Sequence, residues 1–332
     1  MSIRVERIPD KRPPNSATEV TLKQMGENIY EVRYSKTDTG GNIKKIDGDF
    51  YEVTVGTDDS GNAITEVREF EKTAESRADN PITVRQSMRN LRDLINTNVS
   101  DNPERCLWVT LTYAENMRDT ERLYTDMEKF TKRLRYYLKN KNLPEMEYIY
   151  AIEPQARGAW HAHCLFCFNT DKAPFIPNDK MSELWGHGFT KTKSLKGISN
   201  PGLYLTAYLT DLDFTQAMHS GNSIKGDGIK EVIYTGEDGA PVSKAIVKGG
   251  RLHLYPAGMR FFRVSRGIRR PEITKCTERE AMSIVGDAPL TFERTIAIGD
   301  DEIGLINTIN YRTYNRKGKP KNYTKTSTSS LN

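Results

Sequence analysis

The chain has 332 residues, 36% of them hydrophobic, with 49 Lys and Arg against 44 Asp and Glu and a formal net charge of +5. That length allows one large or two to three smaller domains with a sizeable core, and no apolar run approaches bilayer-spanning length, which excludes an integral helical membrane protein. The opening MSIRVERIPDKRPPN is charged where an export signal is apolar. The unevenly spaced Cys106, Cys164, Cys167 and Cys276 suit a reducing compartment, so a secreted disulfide-stapled domain is excluded and a cytoplasmic location expected.

Residues 28–72 alternate as short strands broken by the hairpin signals TDTGGN and TDDSGN, and residues 37–80 hold 11 acidic against 5 basic side chains. An acidic β-rich module over 1–78 is expected. In ADNPITVRQSMRNLRDLINTN, Asn80 can cap and Pro81 suits the first turn of a helix. Val84, Met88, Leu91 and Ile95 keep helical spacing, and Arg85, Arg89 and Arg92 lie on the other face. CLWVTLTY (106–113) reads as a strand and 119–139 as a helix with Leu123, Met127, Phe130, Leu134 and Leu138 on one stripe. EMEYIYAIE (145–153) and WHAHCLFCF (160–168) are strands joined by the tight PQARGA. NDKMSELW is a short helix, FTKTKSL a strand, and NPGLYLTAYLTDL (200–212) a helix capped by Asn200. The order β-α-β-β-α-β-α predicts an α+β fold, an antiparallel sheet with helices packed on it in the split β-α-β arrangement. Residues 220–247 suggest a hairpin or loop. Strands are expected at 251–264, 290–298 and 303–314, with a helix at 277–285. The expected division is 1–78, a central domain over 79–270, and a C-terminal α/β extension with a basic tail over 271–332.

Within GAWHAHCLF, strand alternation points His161 and His163 to one face and Ala162 and Cys164 to the other. Two neutral imidazoles so placed can grip one divalent cation, although an isolated H-x-H recurs by chance and also serves as core packing. Glu153, on the preceding strand, can join them across a hairpin to give a two-histidine, one-carboxylate set. Tyr204 and Tyr208, four apart on the expected helix, share a face. A zinc site from Cys164 and Cys167 is disfavoured, because residues three apart on a strand face opposite sides. Residues 248–270 carry Lys248, Arg251, Arg260, Arg263, Arg266, Arg269 and Arg270 without one acid, interleaved with Tyr255, Phe261 and Phe262. This composition fits phosphate contact with base stacking on nucleic acid, or an edge strand guarded by charge.

TLTYAEN (110–116), EPQARGAWHAHCLF (153–166) and NPGLYLTAYLTDL (200–212) resemble, in order and spacing, motifs I, II and III of the HUH endonucleases. The nearest resemblance is to the rolling-circle replication initiators (Rep) of bacterial plasmids and single-stranded DNA phages, and it covers roughly residues 80–270. ELWGHGF and RFFRVSRG also resemble segments flanking those motifs. The resemblance implies a five-stranded antiparallel, RRM-like sheet with the histidines on a central strand. It implies Mg²⁺ or Mn²⁺ held by His161, His163 and a third ligand, Glu153 or, failing that, Gln155. It further implies nicking and rejoining of single-stranded origin DNA through a 5′-phosphotyrosine on Tyr208 or Tyr204, with duplex origin DNA and a host helicase as partners. Where many relatives read Y-x-x-K, this chain has Ala207 and Asp211 after its tyrosines. Arg157 or the basic segment with Arg251, Arg260, Arg263 and Arg266 is then expected to contact phosphate. The rival readings are an HUH transposase or relaxase, with the same chemistry, and a non-catalytic nucleic-acid-binding module on the same sheet.

Overall fold

The computed structural model describes residues 3–8, 19–35, 43–47, 50–57, 63–69, 75–79, 81–155, 157–206, 209, 212–213, 229–235, 241–247, 249–300 and 304–320. In chain order the strands and helices begin with β1 (Ile3–Ile8), β2 (Glu19–Met25), β3 (Ile29–Ser35), β4 (Ile43–Asp47), β5 (Phe50–Thr57) and β6 (Ala63–Glu69). Next come α1 (Pro81–Val99), β7 (Cys106–Thr112), α2 (Thr120–Asn140), β8 (Met146–Pro154), β9 (Trp160–Phe168), α3 (Asn178–Trp185) and β10 (Thr190–Ser194). After these lie α4 (Pro201–Thr206), β11 (Leu212–Asp213), β12 (Ile229–Thr235), β13 (Pro241–Val247) and β14 (Phe262–Val264). The chain closes with β15 (Glu272–Thr277), α5 (Glu278–Val285), β16 (Leu290–Asp300) and β17 (Gly304–Asn315). Among the described residues no helix is long and apolar enough to cross a membrane.

Residues 1–72 and 271–332 form one compact unit, and residues 73–270 form the other. The first unit holds an antiparallel sheet in the order β1-β16-β17-β3-β2-β15. One of its faces, with Val20, Leu22, Tyr30, Val32 and Tyr34, buries against Ala281 and Val285 of α5. Thr277 and Glu280 close a capping box at the start of α5, satisfying two backbone donors. The sequence suggests separate modules at 1–78 and 271–332. The structure pairs their strands with each other, a long-range choice that no local pattern announces.

The second unit is built on the antiparallel sheet β10-β7-β9-β8-β14, the expected α+β, split β-α-β arrangement with β9 at its centre. Helix α2 starts where the Asp119 carboxylate accepts from the N–H groups of Glu121 and Arg122 at 2.9 and 3.1 Å. It buries Leu123, Met127, Phe130, Leu134 and Leu138. Phe130 meets Phe166 of β9 at 6.1 Å between ring centroids, so α2 covers the face that carries Cys164 and Phe166. His161 and His163 are thereby left on the opposite face. The β8–β9 turn closes at Gly158 with φ +87°, a left-handed value that suits glycine.

Two expected elements are corrected. Of the strand expected over 251–264, only Phe262–Val264 pairs, and Leu252–Leu254 is a single 3₁₀ turn. The turn follows from the side chains it anchors: Arg251, Leu252, Tyr255 and Phe261 are all buried. The helix expected over 200–212 is described only as far as Thr206. Leu209 stands in a bend, and Leu212–Asp213 pairs with Val247 and Ile246 as a strand. The hairpin expected within 220–247 is the β12–β13 pair.

Candidate metal centre and nucleic-acid interface

His161 and His163 protrude from the central strand between two neighbours in register. His161 stands opposite Thr112 of β7 and Glu153 of β8, and His163 opposite Thr110 and Ala151. The Glu153 carboxylate reaches diagonally, with Oε2 2.6 Å from His163 Nε2. Thr110 Oγ1 lies 3.3 Å from His163 Nδ1, and the Trp108 ring stacks on that imidazole at 5.2 Å and 12°. Each face and edge of His163 thus has a neighbour that orients it.

The second carboxylate oxygen of Glu153 is held by Arg251, whose Nη1 lies 2.9 Å from Oε1 and also donates to Pro154 O. Burial alone would raise the Glu153 carboxyl. The hydrogen bond and charge of His163, with the charges of Arg251 and His161, outweigh it and hold the group below its usual range. His161 responds in the other sense. Burial drives its pKa down to about 4 against the pull of Glu153, and the charges of His163, Arg251 and Arg157 add to the fall. Its imidazole is therefore neutral at physiological pH, the form that can donate a lone pair to a cation.

His161 Nε2 is buried and has no hydrogen-bond partner among the described residues. Such an orphan carries a desolvation cost of about 1–3 kcal/mol unless something binds it. Among the described residues no three His, Cys, Asp or Glu side chains are gathered as a ready metal cage, because Glu153 bonds His163 directly. The donor set nonetheless fits a divalent cation: one buried imidazole nitrogen awaiting a partner, a second imidazole and an ionised carboxylate beside it. Gln155, the fallback ligand, has its Oε1 engaged by Arg157 Nε at 2.9 Å, and its N–H bonds Ala159 O in the turn.

The expected DNA-contacting residues separate. Arg251 is 8% exposed and serves Glu153, so its assignment to phosphate contact is corrected. Tyr255 and Phe261 are buried and ring-packed at 4.7 Å, so they offer no platform to a base. Arg263 is exposed but lies 3.8 Å over the Tyr124 ring of α2, on the face away from the histidines. Arg260 and Arg266 are exposed, as is Arg157, whose charge reaches His161.

Tyr208 and the side chain of Tyr204 lie outside the described residues; the surrounding segment is nevertheless anchored. Gly202 N donates to Asn96 Oδ1 of α1 at 2.8 Å, and a Cβ at Gly202 would sit 2.6 Å from Arg92 O, so only glycine allows this approach. Leu203 N donates to Asn200 Oδ1, the expected cap. The Tyr255 hydroxyl stands 2.8 Å from Ile152 O and 3.1 Å from Leu209 O, donating to one or the other. Residue 209 is thus tied to the strand residue that precedes Glu153. Sequence reasoning missed Trp108, Thr110, Arg251 and Tyr255 as parts of the site. Thr110 and Trp108 could have been found by extending the alternation of β7 from Thr112, whereas nothing local signals the Arg251 pairing.

No curated protein matches the chain. Residues 106–213, which span the histidine pair, Glu153 and α4, match a family model of replication-associated proteins of the ORF2 type, and that match supports a replication-initiator role for this chain.

Proposed function

We propose that the chain initiates rolling-circle replication as an HUH endonuclease, nicking single-stranded origin DNA and rejoining it through a 5′-phosphotyrosine. The observation that carries this reading is the neutral, partnerless His161 Nε2 beside His163 and an ionised Glu153, with residue 209 tethered to the same strand. A divalent ion held by His161, His163 and Glu153 would polarise the scissile phosphate as a Lewis acid; two imidazoles among the donors suit Mn²⁺ better than Mg²⁺.

The remaining chemistry belongs to the chain. Tyr208 or Tyr204 loses its phenolic proton and its oxygen attacks phosphorus. The bond to the 3′ oxygen breaks, and that oxygen leaves with a proton as a 3′-OH. One phosphodiester replaces another, so no nucleotide triphosphate is consumed and a later 3′-OH can reverse the step. Arg157, exposed on the β8–β9 turn, is placed to meet phosphate charge. The 332 residues carry no GxxxxGK[ST] motif, which accords with strand separation by a host helicase on duplex origin DNA.

The test is to incubate the chain with Mn²⁺ and labelled single strands spanning the DNA beside its gene. A denaturant-resistant adduct mapping to residues 201–212 is expected. Binding without any adduct would instead identify a non-catalytic module. Adducts on mobile-element ends or a conjugative transfer site, with none on an origin, would identify a transposase or a relaxase.

A further inference from the structure

The register of the second unit places β10, the edge strand, on the histidine face. Lys191 pairs with Thr110, which pairs with His163, and Lys193 pairs with Trp108, which stacks on His163. Phe189 O accepts from Thr112 N, so the same reading puts Phe189 in the row of Thr112 and His161. Thr190 and Thr192 take the alternate positions; Thr190 is buried and bonds Asn178 of α3. Three successive outward positions are therefore an aromatic, a lysine and a lysine. Phe189 is 62% exposed, and Lys191 and Lys193 are exposed. Neighbouring strands lie about 4.8 Å apart, which sets β10 about 10 Å from β9, and alternate residues along it are about 6.8 Å apart.

We propose that Phe189, Lys191 and Lys193 form a single-stranded DNA track along the edge of the sheet, delivering the strand to the histidine site. The proposal rests on the function inferred above and adds where the substrate lies. Phe189 stacks an unpaired base, and the two ammonium groups meet successive backbone phosphates. Glu153 is the one carboxylate in these three rows, and it is engaged by His163 and Arg251. Charge therefore favours a polyanion on this edge. Lysines also guard edge strands against pairing with other chains. A guard, however, gains nothing from a large exposed aromatic in line with it.

The test is fluorescence anisotropy of a labelled oligothymidylate with the full chain in EDTA, so that binding is read apart from nicking. Phe189→Ala should weaken single-strand binding about tenfold, with the salt dependence unchanged and duplex binding unaffected. The double variant Lys191→Gln/Lys193→Gln should lower the slope of log affinity against log salt by about 1.4, at about 0.7 per phosphate, and Lys→Arg at both positions should restore it. Thermal melts and light scattering establish that each variant is folded and monodisperse. Wild-type binding by all variants would overturn the track, as would self-association of the Lys→Gln variant with single-strand affinity intact, or equal losses on duplex and single strand with Phe189→Ala. If the wild type forms no tyrosyl adduct while these variants lose single-strand affinity, the track stands and the nickase reading falls. If the variants bind and form adduct like wild type, the track falls and the nickase reading stands.

Discussion

Glu153 faces His161 in the strand register yet places its carboxylate 2.6 Å from His163 Nε2, with Arg251 2.9 Å away on the other oxygen. The diagonal reach leaves His161 Nε2 as the unpaired nitrogen of the site. His161→Ala and His163→Ala should each abolish adduct formation while sparing most duplex binding, which phosphate contacts elsewhere dominate. Glu153→Gln should retain partial Mn²⁺-dependent activity, since water can fill a coordination position. Wild-type adduct yields from both histidine variants would remove the site from the mechanism.

The Arg251–Glu153 pair should be strongly coupled in stability. Removing one partner leaves a buried charge alone, a loss of about 3–5 kcal/mol, whereas replacing both with apolar residues of similar volume should cost far less. Urea unfolding of Arg251→Met, Glu153→Leu and the double variant gives the coupling directly. Additive losses would show that the two side chains do not rely on each other.

Stability should also depend on pH through His161. Its folded pKa of about 4 lies below the ordinary histidine value of 6.5, so the unfolded chain binds the proton more readily. The contribution is fully present above pH 6.5 and is lost as pH falls toward 4. Glu153, also depressed, begins to matter only below the ordinary carboxyl value of 4.5. Between pH 6.5 and 4.5 the unfolding free energy of the wild type should therefore fall, and His161→Gln should flatten that part of the curve.

Tyr204→Phe and Tyr208→Phe each delete one hydroxyl, so losses report chemistry rather than packing. Alternating nucleophiles predict some adduct from each single variant and none from the double. A single dead variant, with Tyr208→Phe expected to be the more damaging, identifies one attacking oxygen. Adduct from the double variant would overturn the tyrosine mechanism.

Residues 73–270 expressed alone should fold and form adduct, because that unit has its own core from Val84 to Ile268. Deleting residues 1–72 alone should do worse than deleting both flanks. It would strip β1, β2 and β3 from the sheet and leave β15, β16 and β17 with open edges that invite aggregation. Light scattering of the two truncations compares them.

Residue types and their spacing determined the local elements: β9 over 160–168 as expected, α2 with its Asp119 cap, and the single face shared by His161 and His163. Such features depend on neighbours two to four residues apart, which the sequence displays directly. Tertiary structure decided the rest. It drew Arg251 from a basic surface segment into the carboxylate site, because a buried Glu153 between two imidazoles needs a counter-charge. It laid Lys191 and Lys193 on the histidine face by pairing β10 with β7, and it joined the two ends of the chain in one sheet. Which strands pair, and in what register, is settled by burying whole faces at once, so contacts between residues nearly a hundred or more positions apart leave no local trace.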